Sequence, residues 1–195
     1  GNDHDVYNPS AISYFSNLQI IQPDSGDTGG DTGGNTGGDT GGNTGGDTGG
    51  NSGGTTLPTV PTEPTDYPII DFDSVTLAGY DALQQDVNGT ATVMEDGQVI
   101  ALKGNTWKQL NINYNVTAYT LLEFDFYSDS EGEVHGIGFD NDSYLSSENF
   151  FQVFGTQTFG IQDYHSYTTA DGWTHVTIAI GGFFSGQTQY MVFGM

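Results

Sequence analysis

Cysteine is absent from this chain of 195 residues, so disulfides and thiolate metal sites are excluded. Basic residues are nearly absent as well. Lys103 and Lys108 stand alone against 25 aspartates and glutamates, and the formal net charge is -23. Such a surface repels nucleic-acid phosphates and anionic membranes, so neither is expected as a partner. It cannot be neutralised by internal salt bridges, which leaves divalent cations or a salty medium as compensation. No apolar run is long enough to span a bilayer, so no membrane insertion is expected. No stretch keeps a helical period over three turns. No Gly-x-Ser-x-Gly elbow is present, and the acids fall mostly on turn-like segments, so an enzyme is not expected. No secretory leader is visible and the chain opens on Gly1, which predicts a processed chain or an excerpt.

Glycine is what the chain has in abundance. Residues 27–54 are seven tetrapeptides of the form (Asp/Asn)-(Thr/Ser)-Gly-Gly. Glycine loses the most backbone entropy on ordering, so the tract predicts a flexible coil. Residues 55–68 add Pro58, Pro61, Pro64 and Pro68 among threonines, a stiffer extended spacer. Residues 23–66 therefore read as a low-complexity linker. Its regular hydroxyls, Thr28, Thr32, Thr36, Thr40, Thr44, Thr48 and Ser52, form an array of O-glycan attachment points. The nonapeptide period of a calcium-binding β-roll is missing.

Aromatics are plentiful at 13%, enough to fill a core from the remaining residues. From Tyr67 onward the pattern is that of β-strands. Pro68–Phe72 opens one strand, and Thr90–Met94 and Val99–Leu102 flank Asp96-Gly97, a hairpin signal. Leu110, Ile112, Tyr114 and Val116 alternate with polar residues. So do Leu122, Phe124 and Phe126, with Glu123 and Asp125 facing the other way. Val134–Phe139, Phe150–Phe154, Phe159–Gln162, Val176–Ile180 and Tyr190–Phe193 complete the set. Short strands separated by turn signals predict an all-β fold, a jelly-roll-like antiparallel β-sandwich with the low-complexity linker attached.

The two ends of the chain suggest how that sandwich closes. Residues 11–21 form an alternating apolar strand, and Ile12, Tyr14, Leu18 and Ile20 are expected on one face as a core stripe. Tyr190–Phe193 is an apolar strand that an open edge would leave exposed to other chains. Residues 1–22 are thus expected to supply the final strand of the sandwich formed by residues 67–195. They would fold back on their own chain or be donated to a neighbouring copy.

Calcium is the expected metal, because it takes six to eight oxygen ligands on irregular loops. Asp129, Glu131 and Glu133 offer carboxylates at alternate positions, and Asp140 and Asp142 follow the next strand. Asp3 and Asp5 would join them beside the last strand. None fits the EF-hand loop. His135, His165 and His175 match no zinc-ligand spacing. Trp107 and Trp173 each follow a turn, with Tyr144 and Tyr164 in loops near them in sequence. Aromatic faces beside amides and carboxylates are a usual means of holding a sugar ring.

Several segments together resemble a known module. They are Gly104-Asn105-Thr106-Trp107-Lys108, Leu122-Glu123-Phe124-Asp125-Phe126, Gly132–Asp140 and Phe154-Gly155-Thr156-Gln157. The module is the C-terminal β-sandwich of secreted polysaccharide-degrading enzymes of aquatic bacteria, of a carbohydrate-binding type. That family closes with an Asn/Asp loop and Ser-Tyr-Phe-x-Asn-Val. Here the matching residues, Asn2–Asp5 and Ser13–Leu18, stand at the opposite end, so the module looks split and permuted around the linker. The leading expectation is a structural subunit or repeat of an extracellular bacterial filament or adhesin. It would assemble with copies of itself by strand complementation and be stabilised by calcium. The alternative is a calcium-dependent carbohydrate-binding module whose partner is a polysaccharide. Either would act outside the cell or at its surface.

Overall fold

The computed structural model describes residues 9–23 and 67–195, and the statements below concern those residues. The chain is all β, an antiparallel sandwich of two five-stranded sheets. The strands are β1 (Ile12–Ile21), β2 (Ala78–Gly79), β3 (Thr90–Met94), β4 (Val99–Lys103) and β5 (Trp107–Val116). β6 (Leu121–Ser128), β7 (His135–Asp140), β8 (Phe150–Phe154), β9 (Thr174–Ile178) and β10 (Gly186–Gly194) follow. One sheet, called here the front sheet, has the order β3-β4-β1-β6-β9. The other, the back sheet, has the order β2-β5-β10-β7-β8.

The opening strand does not lie beside the closing one. β1 fills the centre of the front sheet, pairing with β4 through Ile12↔Lys103 to Ser16↔Val99 and with β6 through Ser13↔Ser128 to Ile21↔Leu121. β10 is central in the back sheet, hydrogen-bonded to β5 and β7. The expectation that residues 11–21 shield an open edge of Tyr190–Phe193 is therefore corrected. Both strands are interior, in opposite layers, and residues 67–195 lack a middle strand rather than a last one. Without β1 the front sheet would fall into two hairpin-sized pieces, too small to be stable alone.

A bulge corrects the expected core stripe as well. The ladder between β1 and β6 shifts register between Ser16 and Gln19, where Asn17 has φ 50°. Asparagine tolerates this left-handed conformation better than most residues, and the extra residue switches the facing of the strand. Before the bulge, Ser13 and Phe15 point inward, while Ile12 and Tyr14 point outward. After it, Leu18 and Ile20 point inward. Asn113, with φ 44°, lies in the matching irregularity of β5 opposite β10.

The core between the sheets is aromatic. Phe15 packs on Phe124, Phe126 and Phe193, and Phe72 also reaches Phe193. β6 shows why the front sheet has two unlike faces. Leu122, Phe124, Phe126 and Ser128 are buried, while Leu121, Glu123, Asp125 and Tyr127 alternate outward. Burying Phe15 and Leu18 alone contributes about 3–6 kcal/mol to holding β1 in place.

The back sheet buries its outer face too. Tyr80, Trp107, Val134, Phe150 and Val192 form a second small core there, joined by Leu145, Phe159 and Tyr190. This covering needs glycines in the strands beneath it. A Cβ on Gly194 would stand 2.5 Å from the Trp107 ring, and one on Gly136 would stand 2.6 Å from the Phe150 ring.

Smaller expectations also change. Pro68–Phe72 forms no strand; it crosses the bulged part of β1 with a single backbone bond, Ile70 N–H to the Leu18 carbonyl at 2.7 Å. Phe159–Gln162 makes only an isolated bridge, Phe151↔Ile161. The expected linker 23–66 lies, apart from Pro23, outside the described residues, but the residues beside it are close together. The Tyr67 hydroxyl donates to the Gln22 carbonyl. The Gln22 side chain donates to Thr117 and accepts from Thr120.

Candidate functional site

Among the described residues, loops bury the outer face of the back sheet and leave the outer face of the front sheet open. Cross-strand register arranges its side chains in rows. Tyr14 lies opposite Tyr127, and Trp173, just before β9, continues that row. The Tyr14 and Tyr127 rings are 5.6 Å apart, Tyr127 and Trp173 are 5.6 Å apart, and Tyr14 and Trp173 are 6.2 Å apart. Trp173 is 52% exposed. Beside these rings, Met94, Glu95 and Val99 complete a shallow hollow of about 190 Å³.

The next row is Ser16, Asp125 and His175, and the one after is Gln19, Glu123 and Thr177. Their polar groups are held in place by one another. Asn17 donates to Asp125 at 2.7 Å, and His175 Nδ1 meets the other oxygen of Asp125 at 2.8 Å. Gln19 donates to Glu123 at 3.2 Å and Thr177 donates to it at 3.4 Å. His175 Nε2 is also 3.8 Å from Glu123. The arrangement is an aromatic strip beside a preoriented polar strip on a rigid sheet. Rings of this kind pack on apolar C–H faces, while the oriented polar groups exchange hydrogen bonds with hydroxyls.

The residues expected to hold a sugar are only partly found here. Trp173 belongs to the face. Trp107 does not: it is 5% exposed, packed between Phe150 and Phe159 in the second small core. Tyr164 is also packed, against Phe151 and Phe183. Tyr144 is 75% exposed, but on the loop after β7 that covers the back sheet. Tyr14, assigned to the core from sequence, belongs instead to the open aromatic row. Tyr127 and the polar residues around Asp125 had a readable signal in the alternation of β6. Asn17, Gln19 and His175 had none that sequence alone could join to it.

The expected calcium ligands are not gathered into one group. Asp129, Glu131 and Glu133 precede β7, whereas Asp140 and Asp142 lie at its far end. Asp129 accepts from Ile12 N–H and the Ser130 hydroxyl. Asp140 accepts from the Tyr80 hydroxyl and from Asn141 N–H, and Asp142 accepts from Tyr144 N–H. Burial, reinforced by the Asp140 carboxylate, pushes the Tyr80 hydroxyl far above its ordinary pKa. Among the described residues, no cluster of three or more His, Cys, Asp or Glu is placed to hold a metal ion. Asp3 and Asp5 lie outside the described residues, as do the hydroxyls of Thr28, Thr32, Thr36, Thr40, Thr44, Thr48 and Ser52.

Among the described residues, one serine–histidine pair is formed, between Ser13 and His135, both fully buried. His135 Nε2 accepts from Gly132 N–H at 2.7 Å, which leaves Nδ1–H to donate to Ser13 Oγ. Burial holds the pKa of this imidazole down at about 4. With the ring enclosed and both nitrogens engaged, the pair ties β1 to β7; a nucleophile would need an approach that this burial closes.

The two lysines sit apart. Lys108 pairs with Asp86, and Lys103 is exposed one row beyond Tyr14, opposite Ile12. The open face therefore carries Glu95, Asp125 and Glu123 against one lysine and His175. Compared with known protein families, curated proteins and solved structures, the chain has no match.

Proposed function

We propose that the protein binds a glycan, which lies across the outer face of the front sheet. The observation that carries this reading is the row Tyr14–Tyr127–Trp173 beside the polar pair Asp125–His175 on a sheet face that the described residues leave open. Sugar C–H faces pack on the rings, and hydroxyls exchange hydrogen bonds with the held carboxylates, amides and imidazole. The acid-rich face disfavours polyanionic chains and suits neutral or positively charged ones. No catalytic step and no calcium ion enter this reading. It accords with the resemblance to carbohydrate-binding modules and with a place outside the cell or at its surface.

The test is retention in native gels cast with neutral and uronate-containing polysaccharides. Retardation by at least one neutral polysaccharide, at least ten-fold weaker for Trp173→Ala than for the native chain, is the expected result. Equal retardation of the two proteins, or none on any polysaccharide, overturns the reading.

A second reading is the filament assembled by strand complementation, and the place of β1 favours it. A central strand tethered through residues 24–66 has the connectivity needed for exchange between copies. Here the same chain supplies that strand. Light scattering over a concentration series tests the exchange. Oligomers that grow with concentration and vanish when residues 9–23 are deleted support it, and a monomer throughout opposes it.

A further inference from the structure

The hollow in the open face carries a narrower assignment, one that rests on the glycan reading. Three aromatic side chains, Tyr14, Tyr127 and Trp173, stand around it, and the exposed residue Glu95 joins Met94 and Val99 in lining it. Glu95 is held there by the β3–β4 turn, where Glu95 and Asp96 have φ 50° and 52° and Gln98 N–H closes on the Glu95 carbonyl at 3.2 Å. Aromatic faces attract a cation through their quadrupoles, most strongly for tryptophan, and a carboxylate at the edge adds direct charge pairing. The surrounding field has the same sign, with Asp125 and Glu123 in the next rows and a formal net charge of -23 on the chain. A neutral sugar can offer Glu95 a hydroxyl but no charge, so the charge pairing favours a cationic ligand alone.

We propose that this hollow takes the ammonium group of an amino sugar, so that the preferred ligand is a glycan bearing free amines. The amine sits against the Tyr14, Tyr127 and Trp173 rings and pairs with Glu95, while neighbouring sugar rings extend over Asp125 and His175. Uronate chains are rejected by the same carboxylates.

Calorimetry with three matched oligomers tests this: β-linked glucosamine, its N-acetylated counterpart and a neutral β-glucan, at one pH at which the amines are protonated. Glucosamine oligomers are expected to bind about ten-fold more tightly than either of the others. Glu95→Gln, an exposed substitution, weakens binding of the glucosamine oligomer about ten-fold and so abolishes its preference over the neutral oligomer. Trp173→Ala weakens all three. Equal affinity for all three oligomers, or a preference that survives Glu95→Gln, overturns the amino-sugar assignment and leaves glycan binding standing. Absence of binding by any oligomer overturns both. A short lysine peptide that binds as tightly as the glucosamine oligomer, with the same loss in Trp173→Ala, overturns the sugar assignment in favour of a general cation site.

Discussion

The ring of Phe15 stands edge-on to that of Phe193, with centroids 5.4 Å apart and planes at 70°. The first strand and the last thus meet face to face through the core rather than side by side in one sheet. Phe15→Ala removes a buried ring that also touches Phe124 and Phe126 and should cost about 3–5 kcal/mol in chemical denaturation. Tyr14→Ala, one residue away but on the outer face, should cost less than about 1.5 kcal/mol. Similar losses from the two would contradict the assigned facing of β1.

The buried His135 gives the fold a defined acid sensitivity. Its pKa is about 4 in the folded chain against an ordinary 6.5, because burial disfavours the charged ring. Above about pH 6.5 the ring is neutral in both states and its contribution is complete. Between about pH 6.5 and pH 4 the unfolded chain takes up a proton that the folded one refuses, so stability falls as the pH falls, by roughly 3 kcal/mol from this group. Below pH 4 it adds no further loss. Subtracting the stability-against-pH curve of His135→Gln from that of the native chain should reveal this step. A flat difference would show that the ring is not held neutral.

Much of this architecture is readable from residues. The Leu122–Phe126 alternation gives both faces of β6, Asp96-Gly97 gives the β3–β4 turn, and the apolar character of residues 11–21 marks them as part of the sandwich. The position of β1 is not readable, because strand order depends on which partners offer matching register, and alternation does not encode that. The Tyr14 assignment fails for a local reason. A single bulge at Asn17 switches the face of a period-two pattern, so residues on either side cannot be read as one stripe. Trp107 and Trp173 look alike in sequence, each after a turn. What separates them is Phe150 and Phe159, which arrive over Trp107 from distant segments, whereas among the described residues Trp173 meets only Tyr14 and Tyr127 by its rings and stays half exposed.

The hydrogen bond between Tyr67 and Gln22 brings together the residues that flank positions 24–66. The sandwich therefore does not require the length of that tract. Replacing residues 24–66 by a linker of about eight residues should leave the fold intact and raise stability by up to about 1.5 kcal/mol through lower closure entropy. Tyr67→Phe should cost about 0.5–1.5 kcal/mol. Loss of folding in the shortened chain, judged by its denaturation curve, would contradict this arrangement.

The covering of the back sheet can be tested through its glycines. Gly136→Ala drives a methyl group into the Phe150 ring of the covering cluster and should cost at least about 1–3 kcal/mol. Gly182→Ala, with nothing within 4 Å of the added carbon, should stay within about 0.5 kcal/mol of the native chain. Thermal unfolding of the pair checks the contrast, and equal midpoints would mean that the back sheet is less tightly covered than described.

The two tryptophans supply the most direct measurement of the glycan account, because one is enclosed and the other open. In a proton–nitrogen correlation spectrum, each indole N–H gives its own signal. Titration with a β-linked glucosamine oligomer should shift the Trp173 signal progressively to saturation and leave the Trp107 signal in place. A Trp173 signal that stays fixed through titrations with amino-sugar and neutral oligomers alike, or a shift at Trp107 alone, would contradict binding across the open face of the front sheet.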